Sequence, residues 1–193
     1  TPMRSRTSAG TPEWVIDATL RPDFSQLELD TPQLKGNTRF ALSVQEKRPF
    51  FLEGSDLYSQ PFGLIYTRSI TDPLWGARAT YRSESADAAV LTVKDRGGGF
   101  VILPGTYFSD AREQGASQAT LARVRVPYSA GGGTGSVGAL FSDRTYEDGS
   151  SNRTAAVDGQ YKPNDDSRLR AQFSASQTDD RVLGSKGDGH AAF

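Results

Sequence analysis

The sequence predicts an all-β protein, an antiparallel meander of barrel-like type. Three observations predict it. Apolar and polar residues alternate with period two over several stretches, the spacing of a strand with two different faces. Glycine is abundant, 20 of 193 residues, as tight turns between strands require. Hydrophobic residues make up only 36% and mean hydropathy is −0.52, with no apolar run of about 18 residues, so no helix is expected to cross a membrane. Alternating strands score as polar on average, so a wall built of strands remains open as a possibility.

Residues 1–12 are rich in Thr, Ser, Gly and Pro and read as a flexible arm, leaving 13–193 as a single barrel-like domain. Trp14 to Leu20 alternates as a strand, broken by Pro22-Asp23. Phe24 to Asp30 alternates again, with Phe24, Gln26, Glu28 and Asp30 on one face. Acids there are costly against lipid, so that face is expected to look into a lumen or water. Thr31 to Asn37 reads as a loop, and Phe40, Leu42 and Val44 share the next strand face. Gly63 to Thr67, Trp75 to Arg82, Ala88 to Lys94 and Phe100 to Leu103 read as further strands, with a turn at Arg96 to Gly99. Gly105 to Gln118 reads as a long polar loop.

The last third alternates most regularly. Ala122 to Tyr128, Val137 to Phe141, Ala155 to Tyr161 and Leu169 to Ala175 form four strands of about eight residues with one apolar face each. Ser129 to Gly135 and Pro163 to Ser167 read as short connections; Arg144 to Arg153 and Gln177 onwards read as longer ones. Short turns at one end and long loops at the other suit an outer-membrane barrel, and Tyr128 and Tyr161 lie beside the short turns, where an aromatic girdle belongs. A soluble antiparallel sheet with its apolar face on a core produces the same alternation. Arg123, Arg125, Arg168 and Arg170 share the polar phase with Asp158; in a barrel they line the lumen, and cross-strand ion pairing is the alternative role.

Little points to chemistry. Cysteine is absent and His190 is the single histidine, in a stretch that reads as a polar tail, so Ser-His-Asp, Cys-His and zinc arrangements lack material. No catalytic residue, metal or cofactor is expected. Paired carboxylates such as Glu28 with Asp30 or Glu46 with Glu53 leave glycosidase chemistry open as a lesser reading. Gly131 to Gly135 lacks the lysine of a phosphate loop, and the acidic loops lack calcium-loop spacing. A net charge of −1 implies no nucleic-acid partner. The N-terminus has no apolar signal core, so an exported protein would be represented here by a mature piece or a fragment.

The distinctive motif is EKRPFFLEG, Glu46 to Gly54, preceded by PDFSQLELD, Pro22 to Asp30, and by TRF, Thr38 to Phe40. Pro49 biases Arg48 towards extended geometry, and Gly54 permits a sharp exit. An extended backbone would send Phe50 and Phe51 to opposite faces. Lys47 or Arg48 can pair with Glu46 or Glu53, and the bland reading is a strand ending in a turn. The expectation is an architectural clasp on the polar side of the sheet. These strings resemble a bacterial family of unknown function that carries N-P-D-F-S-Q-V-E-A-D, then T-R-F-x-L-x-x-P-E-K-R-P-F-F-L-E-G. Asp23, Phe24, Glu28, Asp30, Arg39, Glu46, Lys47, Arg48, Pro49, Phe50, Phe51, Glu53 and Gly54 match; Arg21 replaces the usual Asn and Gln45 the usual Pro. Members of that family are similar to Gram-negative outer-membrane β-barrel proteins, often with a family 9-type carbohydrate-binding domain ahead of the barrel. The resemblance implies a partial barrel from a longer protein in the cell outer membrane, with lipid as one partner and a polysaccharide or anionic solute, bound or transported, as the other. A soluble periplasmic β-rich binding module is the alternative, and a carbohydrate-active envelope hydrolase a lesser one.

Overall fold

The computed structural model describes residues 13–22, 46–65, 67–97, 100–104, 109–113, 115–181 and 184–193. Eight strands form one antiparallel sheet in the order β1 (Glu13–Leu20), β2 (Pro73–Arg82), β3 (Asp87–Asp95), β6 (Ser117–Ala130), β7 (Gly133–Tyr146), β8 (Ser151–Lys162), β9 (Leu169–Asp180) and β10 (Ser185–Ala192). A separate hairpin, β4 (Phe100–Pro104) with β5 (Ser109–Glu113), interrupts the path from β3 to β6. The all-β antiparallel meander expected from alternation is the fold observed. Among the described residues β1 and β10 each pair on one side only.

The strands outrun their alternating apolar runs. β6 and β7 are 14 residues long and meet at a two-residue turn in which Gly131 and Gly132 have φ of 57° and 80°. Positive φ at both central positions gives the turn whose twist matches paired strands, and glycine adopts it without strain. The stretch read as a long loop, 105–118, contains β5 and the start of β6. The connections read as long at Arg144 to Arg153 and after Gln177 are 147–150 and 181–184, because polar residues there extend the ladder. The polar tail around His190 is strand β10. Gly63 to Thr67 is not a strand: among its described residues, 63–65 are irregular and Thr67 starts a 3₁₀ turn, Thr67–Ser69. The asymmetry of the connections survives in other places. Paths 21–72 and 96–116 leave one end of the sheet, whereas 83–86, 131–132 and 163–168 close the other.

The apolar face of the sheet is open and the polar face is covered. One register row on the outer face reads Trp14, Tyr81, Ala88, Val124, Ala139, Val157, Phe173 and Ala192 across the eight strands. Trp14 is 65% exposed, Val157 56% and Phe173 51%. The inner face buries Arg78, Thr80, Asp95, Ser117, Arg123, Gln172 and Ser174 beside Leu91, Val93, Leu121, Leu140 and Ala156. What covers it is the segment 46–72, here called the strap, which carries α1 (Pro49–Leu52) and a 3₁₀ turn, Ser55–Tyr58. Phe51, Leu57, Tyr58 and Ile70 of the strap join the wall residues in one core.

Gly138 shows how tightly that face is built. Arg123 on β6 reaches across β7 to a bidentate ion pair with Asp158 on β8, and its guanidinium lies over Gly138, where a Cβ would meet it at 2.6 Å. Arg123 and Asp158 are both nearly inaccessible. Asp158→Asn is therefore expected to lower unfolding stability by about 3 kcal/mol, because a buried charge is left uncompensated, and Gly138→Ala by a smaller amount, about 1 kcal/mol, since the end of the Arg123 side chain can shift within its pairing. Guanidinium-induced unfolding of the three proteins checks this, and an unchanged midpoint for Gly138→Ala would contradict the crossing geometry.

Candidate functional site

The strap and the groups that hold it are the candidate site. Arg48 precedes Pro49 and is extended, with φ −75° and ψ 122°, as a residue before proline must be. Pro49 then opens a helical turn, since its fixed φ suits a first helical position and its missing N–H is not needed there. The motif is thus a turn instead of a strand end. Phe50 and Phe51 do not go to opposite faces; their rings meet edge to face with centroids 5.3 Å apart. Gly54, with φ of 71°, supplies the exit.

Arg48 is the centre of this fold-back. Its side chain is 2% exposed and sits against Phe51, 4.2 Å from the ring centroid. Its Nε and Nη2 donate to the two oxygens of Glu46, each at 2.8 Å. Its remaining donors reach the Ile70 carbonyl at 2.6 Å and the Thr67 carbonyl at 2.9 Å. Thr67 Oγ1 also donates to Glu46 at 2.7 Å. The pair thereby joins the start of the strap to its end. Burial raises the Glu46 carboxyl, but the hydrogen bonds from Arg48 and Thr67 and the Arg48 charge outweigh it, so the group titrates below its ordinary 4.5. Tyr58 is pushed up to about 12, chiefly by burial and against the pull of Arg78, and stays protonated.

Two wall cations anchor the strap. Arg78 on β2 donates to the carbonyls of Phe50 and Glu53 and pairs with Asp17 at 2.5 Å and Glu53 at 3.1 Å. Beside it, Phe50 rests on Gly76, where a Cβ would come within 2.8 Å of the ring. Arg144 on β7 pairs with Asp95 at 2.9 Å and donates to the Ser69 carbonyl at 3.0 Å. Asp95, wholly buried, accepts from the backbone N–H groups of Thr71 and Asp72. At the far edge, Gln172 on β9 holds Phe62, accepting from its N–H and donating to its carbonyl, both at 3.0 Å. The strap therefore contacts the sheet from β2 to β9.

Of the residues singled out by sequence, Glu46, Lys47, Arg48, Pro49, Phe50, Phe51, Glu53 and Gly54 all lie on the strap. Lys47 is exposed, and the pairing partner of Glu53 is Arg78 on the wall. Arg123, Arg125 and Asp158 are on the inner face; Arg123 pairs with Asp158 and Arg125 with Asp87 at 2.5 Å. Arg170 is exposed on β9, and Arg168 lies in the connection before it. Asp23, Phe24, Glu28, Asp30 and Arg39, with the strands read at Phe24 to Asp30 and Phe40 to Val44, fall outside the described residues. His190 is on the outer face of β10, opposite Ala175. Sequence reasoning did not single out Arg78, Asp95, Arg144 or Gln172 as strap holders. The polar phase of Arg78 and Gln172 was visible, whereas Asp95 and Arg144 fell outside the strands that alternation marks, and each partner on the strap lies more than twenty residues away.

Residues 11–93 match a family model described as a domain of unknown function, DUF5916. The matched stretch takes in β1, the strap, β2 and most of β3. No curated protein and no solved structure matches the chain.

Two outcomes follow from the anchors. Phe51→Ala should cost about 3–5 kcal/mol, against less than about 0.5 kcal/mol for exposed Lys47→Ala, measured by denaturant unfolding. Because the folded Glu46 value is depressed, its contribution is present above the unfolded value and is lost as pH falls through the folded one. Strap protection from proteolysis should thus persist at pH 6 and fall below about pH 4. Glu46→Gln should weaken it already at pH 6 and flatten that part of the profile.

Proposed function

We propose that the chain is a stretch of outer-membrane barrel wall whose lumenal side carries the strap, and that polar solutes, glycans among them, bind to or pass along that side. The observation that carries the proposal is the disposition of the two faces: apolar side chains point outward across the sheet while charges and amides are covered. Water disfavours so wide an apolar face, whereas hydrocarbon accommodates it. A soluble binding module would turn that face onto a core, so the exposure weighs against it.

The apolar band also has the limits of a membrane layer. Trp14 and Tyr81, centroids 4.9 Å apart, and Tyr128 and Tyr161, 6.2 Å apart, lie towards the short-turn end. Aromatic rings of this kind settle at the interface between hydrocarbon and water. Towards the other end the outer face becomes charged, with Lys94 paired to Glu147, Arg153 to Asp143 and Lys186 to Asp179. The band slides along the strands. On β1 it centres on Asp17 and on β9 on Gln172, yet Asp17 lies in register with Ser176. An offset of four residues over six strand steps is a slope of roughly 25° at the usual spacings. A level band on tilted strands needs such an offset, although closed barrels tilt somewhat more.

The strap bears on wall size. An eight-stranded barrel has an interior just wide enough for side chains. A lumen that also holds residues 46–72 needs a wider wall, with β1 and β10 paired to strands beyond these eight. The solute class follows from the inner face, where guanidinium, carboxylate, amide and hydroxyl groups stand together. A cavity of about 290 Å³ between the strap and β1–β2 is lined by Glu13, Glu53, Asp56, Arg78, Thr80 and Arg82. Mixed donors and acceptors of this kind suit hydroxyl-rich molecules.

Fractionation is expected to place the protein in the outer membrane with heat-modifiable migration, and recovery in the soluble periplasm would refute the proposal. A sharper test is Val157→Arg, in the middle of the band. Against lipid it should cost about 2–4 kcal/mol of folding stability in bilayers. At an exposed site of a soluble sheet the same change costs less than about 0.5 kcal/mol. Gln160→Arg, on the opposite face of the same strand, serves as the control and should be nearly neutral.

A further inference from the structure

The strap is held unevenly. Near its two ends it is pinned by the buried guanidinium groups of Arg78 and Arg144, and Arg48 ties those ends together. Between residues 59 and 65 no charged side chain holds it among the described residues. There the attachment is one neutral amide, Gln172 on the Phe62 backbone and the Gln60 side chain, one ring stack, Phe62 on Phe193 at 4.4 Å, and, where the stretch ends, Ile65 packed against the core. Both rings remain well exposed, 38% and 59%. Backbone bonding differs in the same way. In the anchored parts the N–H groups of Phe51, Leu52, Glu53, Leu57 and Ile70 donate to main-chain carbonyls, and Ser59, where the looser stretch begins, donates to that of Asp56. Within 60–65 the hydrogen-bonded N–H among the described residues is that of Phe62, and its acceptor is a side chain.

We propose that residues 59–65 form a releasable lid over the inner face of β9, while the rest of the strap stays fixed. This rests on the wall reading above and assigns the moving part to it. Segments with few buried contacts and few backbone bonds open first, without disturbing the cooperative core. Under the lid lies Gln172, and Ser174, the other buried residue of β9, follows it on the same face. Released from Phe62, the Gln172 amide offers a donor and an acceptor together, and Ser174 adds a hydroxyl. That set recognises a hydroxyl-rich solute and exchanges it for the lid at little electrostatic cost, since no charge is uncovered.

Hydrogen exchange on the protein in detergent tests the release directly. The Phe62 amide should exchange at least a hundredfold faster than those of Leu52 and Leu57. Phe62→Ala, which leaves the wall intact, should speed exchange across 60–65 at least fivefold and leave Leu57 unchanged; Gln172→Ala should do the same. Equal protection of lid and anchored parts would overturn the proposal. The second arm uses the absence of cysteine from the sequence. Phe62 of the lid and Phe193 beside it stack at 4.4 Å. A Phe62→Cys/Phe193→Cys pair bridged by a short cleavable dithiol reagent should cut entry of a labelled oligosaccharide into proteoliposomes at least fivefold, with recovery on cleavage. Entry unaffected by the bridge would reject the lid and leave the wall reading standing. Recovery of the protein from the soluble periplasm would defeat the wall reading alone, and the exchange contrast would still decide whether the segment opens.

Discussion

Buried guanidinium groups set the terms for everything on the inner face. Arg48, Arg78 and Arg123 are almost fully covered, and Arg144 nearly so. A cation cannot be left there alone, because its lost hydration is recovered only by close partners with good geometry. Each of these arginines meets a carboxylate, and three of them also meet backbone carbonyls. The carbonyls belong to the strap. A segment with almost no regular secondary structure is thereby given its backbone partners by the wall, as buried backbone groups require. The planar fork of arginine suits this task, since one side chain can serve a carboxylate and two carbonyls at once.

The same constraint explains why glycine appears at 76 and 138. At these two positions a large group lies on the inner face and the strand beneath has no side chain to yield. Phe50 occupies the space above Gly76, and the Arg123 guanidinium that above Gly138. Apolar packing supplies most of the adhesion through Phe51, Leu57 and Ile70. The charged contacts select the position in which that packing occurs. Motif residues and wall residues are therefore two halves of one device, and the family-model match, which spans β1 to β3, contains both the strap and its Arg78 anchor.

Much of the wall was legible in the residues. Period-two alternation located β1, β2, β3 and the four strands of the last third, because a strand between two different environments must alternate. Their ends were not legible. Asp143 to Tyr146 and Gln177 to Asp180 are polar on both phases, so nothing in the pattern separates a strand continuing into water from a loop; pairing with neighbours makes them strands. Gly63 to Thr67 failed in the opposite way: its apolar residues suit a strand, but it lies on the strap instead of within the ladder. His190 was read as tail for want of apolar residues, and β10 forms by pairing onto β9.

The sequence by itself determined the all-β class, the two-faced strands, the extended Arg48 ahead of Pro49 and the sharp exit at Gly54, because these follow from steric limits on one or two residues and from the spacing of side chains along a strand. Tertiary structure alone decided which face is covered. Alternation is the same whether the apolar side meets a core or lies open, and only the strap, seated on the charged side by Arg78, Arg144 and Gln172, breaks that symmetry. It also decided the pairing of Arg123 with Asp158 and of Glu53 with Arg78. Such contacts depend on the register of strands and segments far apart in the chain, and a residue's type carries no record of which distant partner the register brings to it.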